Sequence, residues 1–135
     1  MKKATLFLTA AATLLAAPAV AAPRLTPEQQ LAKAIEGRVA GKPVDCIDPH
    51  FHSNTRIIEK TAIIYGSGRT IYVNRPDNAN SLRDDDVLVT ELRGSGQLCS
   101  VDVVKLHDRS GLWNRGFVSL GKFVPYTRVD SAKDE

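Results

Sequence analysis

Thr61-Ala62-Ile63-Ile64-Tyr65-Gly66-Ser67-Gly68-Arg69-Thr70-Ile71-Tyr72-Val73 reads as two strands around a tight turn. β-Branched and aromatic residues crowd both arms, and Gly-Ser-Gly between them supplies the backbone freedom that a hairpin turn demands. Just upstream, Arg56-Ile57-Ile58 has the same composition and predicts a further strand. A second unit repeats the plan downstream, with Val87 to Leu92 and Gln97 to Leu106 flanking Gly94-Ser95-Gly96. Between the two units, Arg75 to Asp86 carries Pro, Asn, Asp and Ser without periodicity and is expected to be a loop. A last strand is expected around Phe117 to Val124, ended by Pro125. Short strands punctuated by glycine turns predict a mainly β domain, a small antiparallel barrel or sandwich.

Ahead of the strands, Thr26-Pro27-Glu28-Gln29 has the form of a helix start. A capping hydroxyl, proline at the first helical position and glutamine three places after the Thr can satisfy two otherwise orphaned amides. Leu31, Ala34, Ile35 and Val39 form a narrow apolar stripe, and Gly41 with Pro43 is the expected stop. The stripe is expected to dock on the β domain, because its polar face lacks the dense Lys and Arg of a lipid-lying helix.

The N-terminal segment assigns a compartment. Met1-Lys2-Lys3 is a positive n-region, Ala4 to Ala17 is apolar, and Ala19-Val20-Ala21 offers a small-x-small cleavage site. Cleavage is expected after Ala21 in preference to Ala22, which would leave Pro23 beyond the scissile bond. The chain is therefore read as periplasmic or secreted. The apolar run is shorter than the ~20 residues needed to cross a bilayer, so no membrane span is expected. No Cys follows the cleavage region, which argues against a lipid anchor. The expected organisation is a signal peptide over residues 1–21, helix and linker over 22–43, a β domain over 44–130 and a frayed tail over 131–135. Loss of Lys2 and Lys3 takes the basic residues two below their 18, against 15 acids, so the net charge falls from +3 to about +1. Charges of both signs are scattered along the chain, which excludes the basic footprint of a nucleic-acid binder.

Cys46 and Cys99 are the two cysteines of the chain. In an oxidising compartment an even pair reads as a disulfide. Closing a loop of about 50 residues is worth roughly 4 kcal/mol in the chain-entropy account.

Taken in order, Cys46, Thr55-Arg56-Ile57-Ile58, Ile71-Tyr72-Val73-Asn74, Gln97-Leu98-Cys99-Ser100-Val101-Asp102-Val103-Val104, and Leu120-Gly121-Lys122-Phe123 with Pro125 resemble a family of small exported proteobacterial proteins with no assigned activity. The likeness covers most of the chain after the helix and implies no reaction, cofactor or ligand. Members of that family carry two further cysteines, where this chain has Ala79-Asn80-Ser81-Leu82 and Val118. Their joint absence is what a second disulfide lost as a unit would leave, and the resemblance then implies pairing of Cys46 with Cys99.

No catalytic or cofactor motif stands out. Ser67 and Ser95 lie between glycines but lack the Gly-x-Ser-x-Gly spacing and strand-to-helix setting of a hydrolase elbow, so both are read as turn residues. Asp84-Asp85-Asp86 lacks the alternating ligands and the glycine of a calcium loop and is read as a solvated acidic turn. His50 and His52 alternate, so an extended segment would point both to one side, and His107 could add a third nitrogen. They carry the alternative reading of a metal-binding protein or metal-dependent hydrolase; the first reading makes them loop histidines. Gly111-Leu112-Trp113-Asn114-Arg115-Gly116-Phe117 holds the single Trp beside an Arg, the residue types most enriched at binding hot spots. Trp113 and Arg115 are accordingly the candidate binding residues, while the favoured expectation for the ring itself is that it caps one end of the sheet core, where small domains need every large apolar group. The leading expectation is an exported, non-catalytic binding or structural module with no cofactor and an unknown envelope partner.

Overall fold

The computed structural model describes residues 20–51 and 53–130. The expected signal segment through residue 19, the tail at 131–135 and His52 lie outside the described residues. Among the described residues one α-helix, α1 (Pro27–Ile35), precedes ten strands: β1 (Arg38–Ala40), β2 (Cys46–Ile47), β3 (Thr55–Ile58), β4 (Ala62–Tyr65), β5 (Thr70–Asn74), β6 (Val87–Thr90), β7 (Leu98–Cys99), β8 (Val103–His107), β9 (Asn114–Ser119) and β10 (Phe123–Arg128). They form a five-stranded sheet in the order β1-β10-β5-β4-β3, a three-stranded sheet β6-β8-β9, and the ribbon β2-β7. Every pairing is antiparallel, and the layers stack as a sandwich without closing into a barrel.

The five-stranded sheet is covered on both faces, which explains why Ala62-Ile63-Ile64-Tyr65 is a continuous apolar run without alternation. All four of these residues are buried. Ile63 and Tyr65 face the smaller sheet with Ile47, Leu98, Val104, Leu106, Val118, Leu120 and Phe123. Ala62 and Ile64 face the helix with Leu31, Ile58, Ile71 and Val73. Tyr65 and Phe123 meet edge to face with ring centroids 5.7 Å apart, an arrangement that aromatic quadrupoles favour.

Thr26 and Gln29 form the reciprocal capping box: the Gln29 amide donates to Thr26 Oγ1 at 3.3 Å and the Thr26 amide to Gln29 Oε1 at 2.9 Å. Thr26→Ala is expected to cost about 1 kcal/mol, read as a lower urea midpoint at unchanged slope. The helix ends earlier than its stripe suggests. Gly37 takes a φ of +71° and turns the chain, after which Val39 pairs with Thr127 in β1 instead of continuing the apolar face. A β-branched residue beside a left-handed glycine suits a strand better than a fourth helical turn.

The second glycine unit also differs from expectation. Arg93 and Gln97 make an isolated bridge, but Leu98-Cys99 pairs with β2, and β6 pairs with β8. The disulfide and Asp102 divide the expected strand: Asp102 Oδ2 accepts the Cys99 amide at 2.7 Å, bending the chain between β7 and β8. Cys46 and Cys99 are directly opposed, with Cα atoms 4.0 Å apart and a sequence separation of 53, so the bond staples this ribbon.

Pro125 does not end the last strand. Residues 114–128 form two strands, β9 and β10, around a turn at Leu120-Gly121-Lys122, and Pro125 sits within β10 opposite Tyr72. The Gly41 amide donates to the Pro125 carbonyl at 2.7 Å just beyond the end of β1. The ring therefore lies where the short edge strand has run out and no ladder bond needs its missing N–H. Buried Asn74 fixes the preceding turn: Nδ2 donates to the Gly121 carbonyl at 2.6 Å, and Oδ1 accepts the Gly121 amide at 3.0 Å. A Cβ at Gly121 would come within 2.9 Å of the Arg75 carbonyl oxygen, so the close approach requires glycine.

Candidate functional site

The turn between β8 and β9 is tied by its own polar groups. Asp108 Oδ1 accepts the Ser110 amide at 2.8 Å and is also bonded by the Ser110 hydroxyl, contacts that hold its carboxyl below the usual range. The Leu112 amide donates to the Asp108 carbonyl at 2.7 Å, and the Asp108 amide to the Trp113 carbonyl at 2.8 Å. His107 Nδ1 lies 2.8 Å from the Leu112 carbonyl; a carbonyl only accepts, so this nitrogen carries the proton. Leu112 is held at a φ of +54°, a left-handed conformation that an apolar side chain adopts only where its surroundings enforce it.

On this frame Trp113 is 75% exposed, and Leu112 and Phe117 are exposed beside it. The favoured expectation of a core Trp is therefore corrected: its ring lies outside the sandwich. A Cβ at Gly111 would come within 2.3 Å of Trp113 Nε1 and 2.5 Å of Cδ1, so the ring rests against the bare glycine backbone. Gly111, two positions ahead of the Trp, thus leaves room for the ring where it stands.

Arg115 has a different environment. Its Nε donates to Asp86 Oδ1 at 2.9 Å and its Nη2 to Asp86 Oδ2 at 2.7 Å, a bidentate fork with side-chain exposures of 20% for Arg115 and 2% for Asp86. Asp86 Oδ2 also accepts the Arg83 amide at 3.1 Å. The hydrogen bonds from Arg115 raise its own already high pKa, so the guanidinium stays charged. The reading of Asp84-Asp85-Asp86 as wholly solvated holds for Asp84 and Asp85 and fails for Asp86, which is buried. No sequence signal separated this third aspartate from its neighbours, because its partner lies 29 residues away.

Of the described histidines, His50 lies in the loop after β2 and His107 at the end of β8. The exposed His50 donates its amide to Asp48 Oδ1 at 2.9 Å, His107 is occupied as above, and His52 lies outside the described residues. Among the described residues, no group of three or more His, Cys, Asp or Glu side chains is placed to hold a metal ion. Ser67 Oγ accepts Asn54 Nδ2 at 2.8 Å, a turn contact. Among the described residues no helix is long and apolar enough to cross a membrane.

A cleft of about 580 Å³ opens between the two sheets, lined by Thr55 and Ile57 of β3, Leu88 and Thr90 of β6, Leu98 and Tyr65. Arg56, Arg109, Asp84 and Asp86 also border it. The Tyr65 hydroxyl is buried and has no hydrogen-bond partner among the described residues. Burial pushes the phenol above its ordinary pKa, so folding favours the neutral form. The corresponding stability is present below about pH 10 and declines as the pH rises beyond it. Tyr65→Phe is expected to raise stability at neutral pH by about 1 kcal/mol, because the cost of an unpaired buried hydroxyl disappears. The same substitution should flatten the alkaline end of the stability profile, measured by urea melts at pH 8 and pH 11.

Comparison with protein-family models, with curated proteins and with solved structures finds no match to the chain.

Proposed function

We propose that the chain is an exported, non-catalytic binding module of the bacterial envelope that engages a macromolecular partner through Leu112 and Trp113. The observation that carries this reading is the exposed Trp113 ring resting on Gly111 beside a left-handed Leu112. A rigid aromatic anchor with few freely rotating bonds contributes contact area at low entropic cost. The leader-like N-terminus and the disulfide support the compartment. In this reading Arg115 shapes the base of the loop through Asp86, and Trp113 makes the contact.

Trp113→Ala is expected to leave the urea midpoint within about 0.5 kcal/mol of the parent, as for a surface change. A photoreactive phenylalanine at position 113 should cross-link to one discrete envelope component in intact cells. The same probe at Val101, which is 89% exposed on another turn, should give no such adduct. Equal labelling from both positions, or none from 113, would remove the loop as the contact surface. Intact mass of the periplasmic protein should show loss of residues 1–21; recovery of the full-length chain from the cytoplasm would refute export.

A further inference from the structure

We propose that the cleft between β3 and β6 is a strand-addition site that takes an extended, acidic peptide segment of a partner protein. Three independent observations lead there, beginning with how the sandwich treats its edges. The outer edge of β9 is sealed by Asn78, whose Nδ2 donates to the Phe117 carbonyl at 2.9 Å and whose Oδ1 accepts the Ser119 amide at 2.9 Å. That side chain imitates a neighbouring strand. The far edge of the larger sheet is the three-residue β1, too short to template another chain. Leaving aside the disulfide-bonded ribbon β2-β7, β3 and β6 are the remaining edges of the two larger sheets, and both border the cleft.

The direction of the free groups on β3 follows from its pairing. The Gly66 amide donates to the Asn54 carbonyl at 2.6 Å, so Asn54, Arg56 and Ile58 turn their main-chain groups toward β4. Thr55 and Ile57 consequently aim theirs away from the sheet, where they have no partner among the described residues. Donors and acceptors repeating every second residue match a strand, whose alternate side chains would enter the cleft. A compact small molecule does not reproduce that spacing.

The second observation is the orphaned Tyr65 hydroxyl in the wall of the same cleft, a buried donor that an incoming peptide group can satisfy. The third is charge. Arg56 and Arg109 have no carboxylate partner among the described residues, and the Asp86 carboxylate is already neutralised by Arg115. Asp84 opposes them as a single charge, which leaves the rim cationic. An acidic segment is the complementary one.

The test uses the disulfide-intact protein and a phage-displayed library of linear dodecapeptides, from which selected sequences are synthesised. Selected peptides should be rich in Asp and Glu, and on binding the Thr55 and Ile57 amides should exchange at least tenfold more slowly. Thr55→Pro removes one outward amide and leaves the ladder to β4 intact, so it should weaken binding at least tenfold at an unchanged melting temperature. Should that variant fail to fold, N-methylation of alternate amides in the peptide gives the same reading, with binding lost for one register and kept for the other. Arg56→Glu should reverse the preference for acidic peptides, and Trp113→Ala should leave peptide affinity unchanged, which separates this site from the loop. Failure to select any peptide, or protection of amides elsewhere, would overturn the proposal. Protection of Thr55 and Ile57 on concentrating the protein alone would assign the edge to a second copy and overturn it equally.

Discussion

Replacing Cys46 and Cys99 together by alanine lowers stability by about 4 kcal/mol, the chain-entropy value for a loop of this length. The bond joins two strands of only two residues each, β2 and β7, whose own pairing is too short to persist in isolation. Beneath it lie Ile47 and Leu98, both buried in the core shared with Tyr65 and Phe123. Losing the staple therefore loosens the ribbon that covers one end of the sandwich as well as freeing the unfolded chain. For a domain of this size the loss corresponds to a fall in melting temperature of roughly 15–30 °C. Calorimetry of the oxidised parent and the double alanine variant measures it. Coincident transitions, or two alkylatable thiols in the native protein, would contradict the assignment.

Arg115→Ala is expected to cost about 3 kcal/mol, at the lower end for breaking a buried ion pair because the guanidinium is partly exposed. The loss is asymmetric. Removing Arg115 strands the Asp86 carboxylate in a site where only the Arg83 amide still donates to it, whereas Asp86→Ala leaves an arginine able to swing into solvent. The arginine deletion should thus be the more damaging of the two, and the double variant should lose less than the sum of the single losses. A double-mutant cycle from urea midpoints gives the coupling energy, and additive losses would show that the fork contributes nothing of its own. The larger effect at position 115 than at position 113 would also separate the structural residue of this loop from the exposed one.

Local chemistry determined much of the chain by itself. Thr26-Pro27-Glu28-Gln29 specifies a capping box because all its partners lie within four residues, and the box forms as written. Ala62 to Asn74 specifies a hairpin for the same reason: turn and arms are contiguous. Two cysteines could pair only with each other inside one chain, and they do.

What the tertiary structure decided are the features whose energy depends on distant partners. Val39 left the helical stripe because β10 offered it a ladder, a neighbour 88 residues away that no local period reveals. Leu98-Cys99 left the second glycine hairpin because β2 and the disulfide hold it more strongly than β6 could. Pro125 is tolerated within a strand since the facing edge ends beside it, a property of sheet order. The candidate site divides along the same line. Trp113 was legible as an unusual residue between glycines, but its exposure depended on a loop tied by Asp108 and His107. The inward turn of Asp86 toward Arg115, and the cleft between β3 and β6, exist only once two sheets are laid against each other, because burial and charge pairing are set by what the fold brings near and not by sequence neighbours.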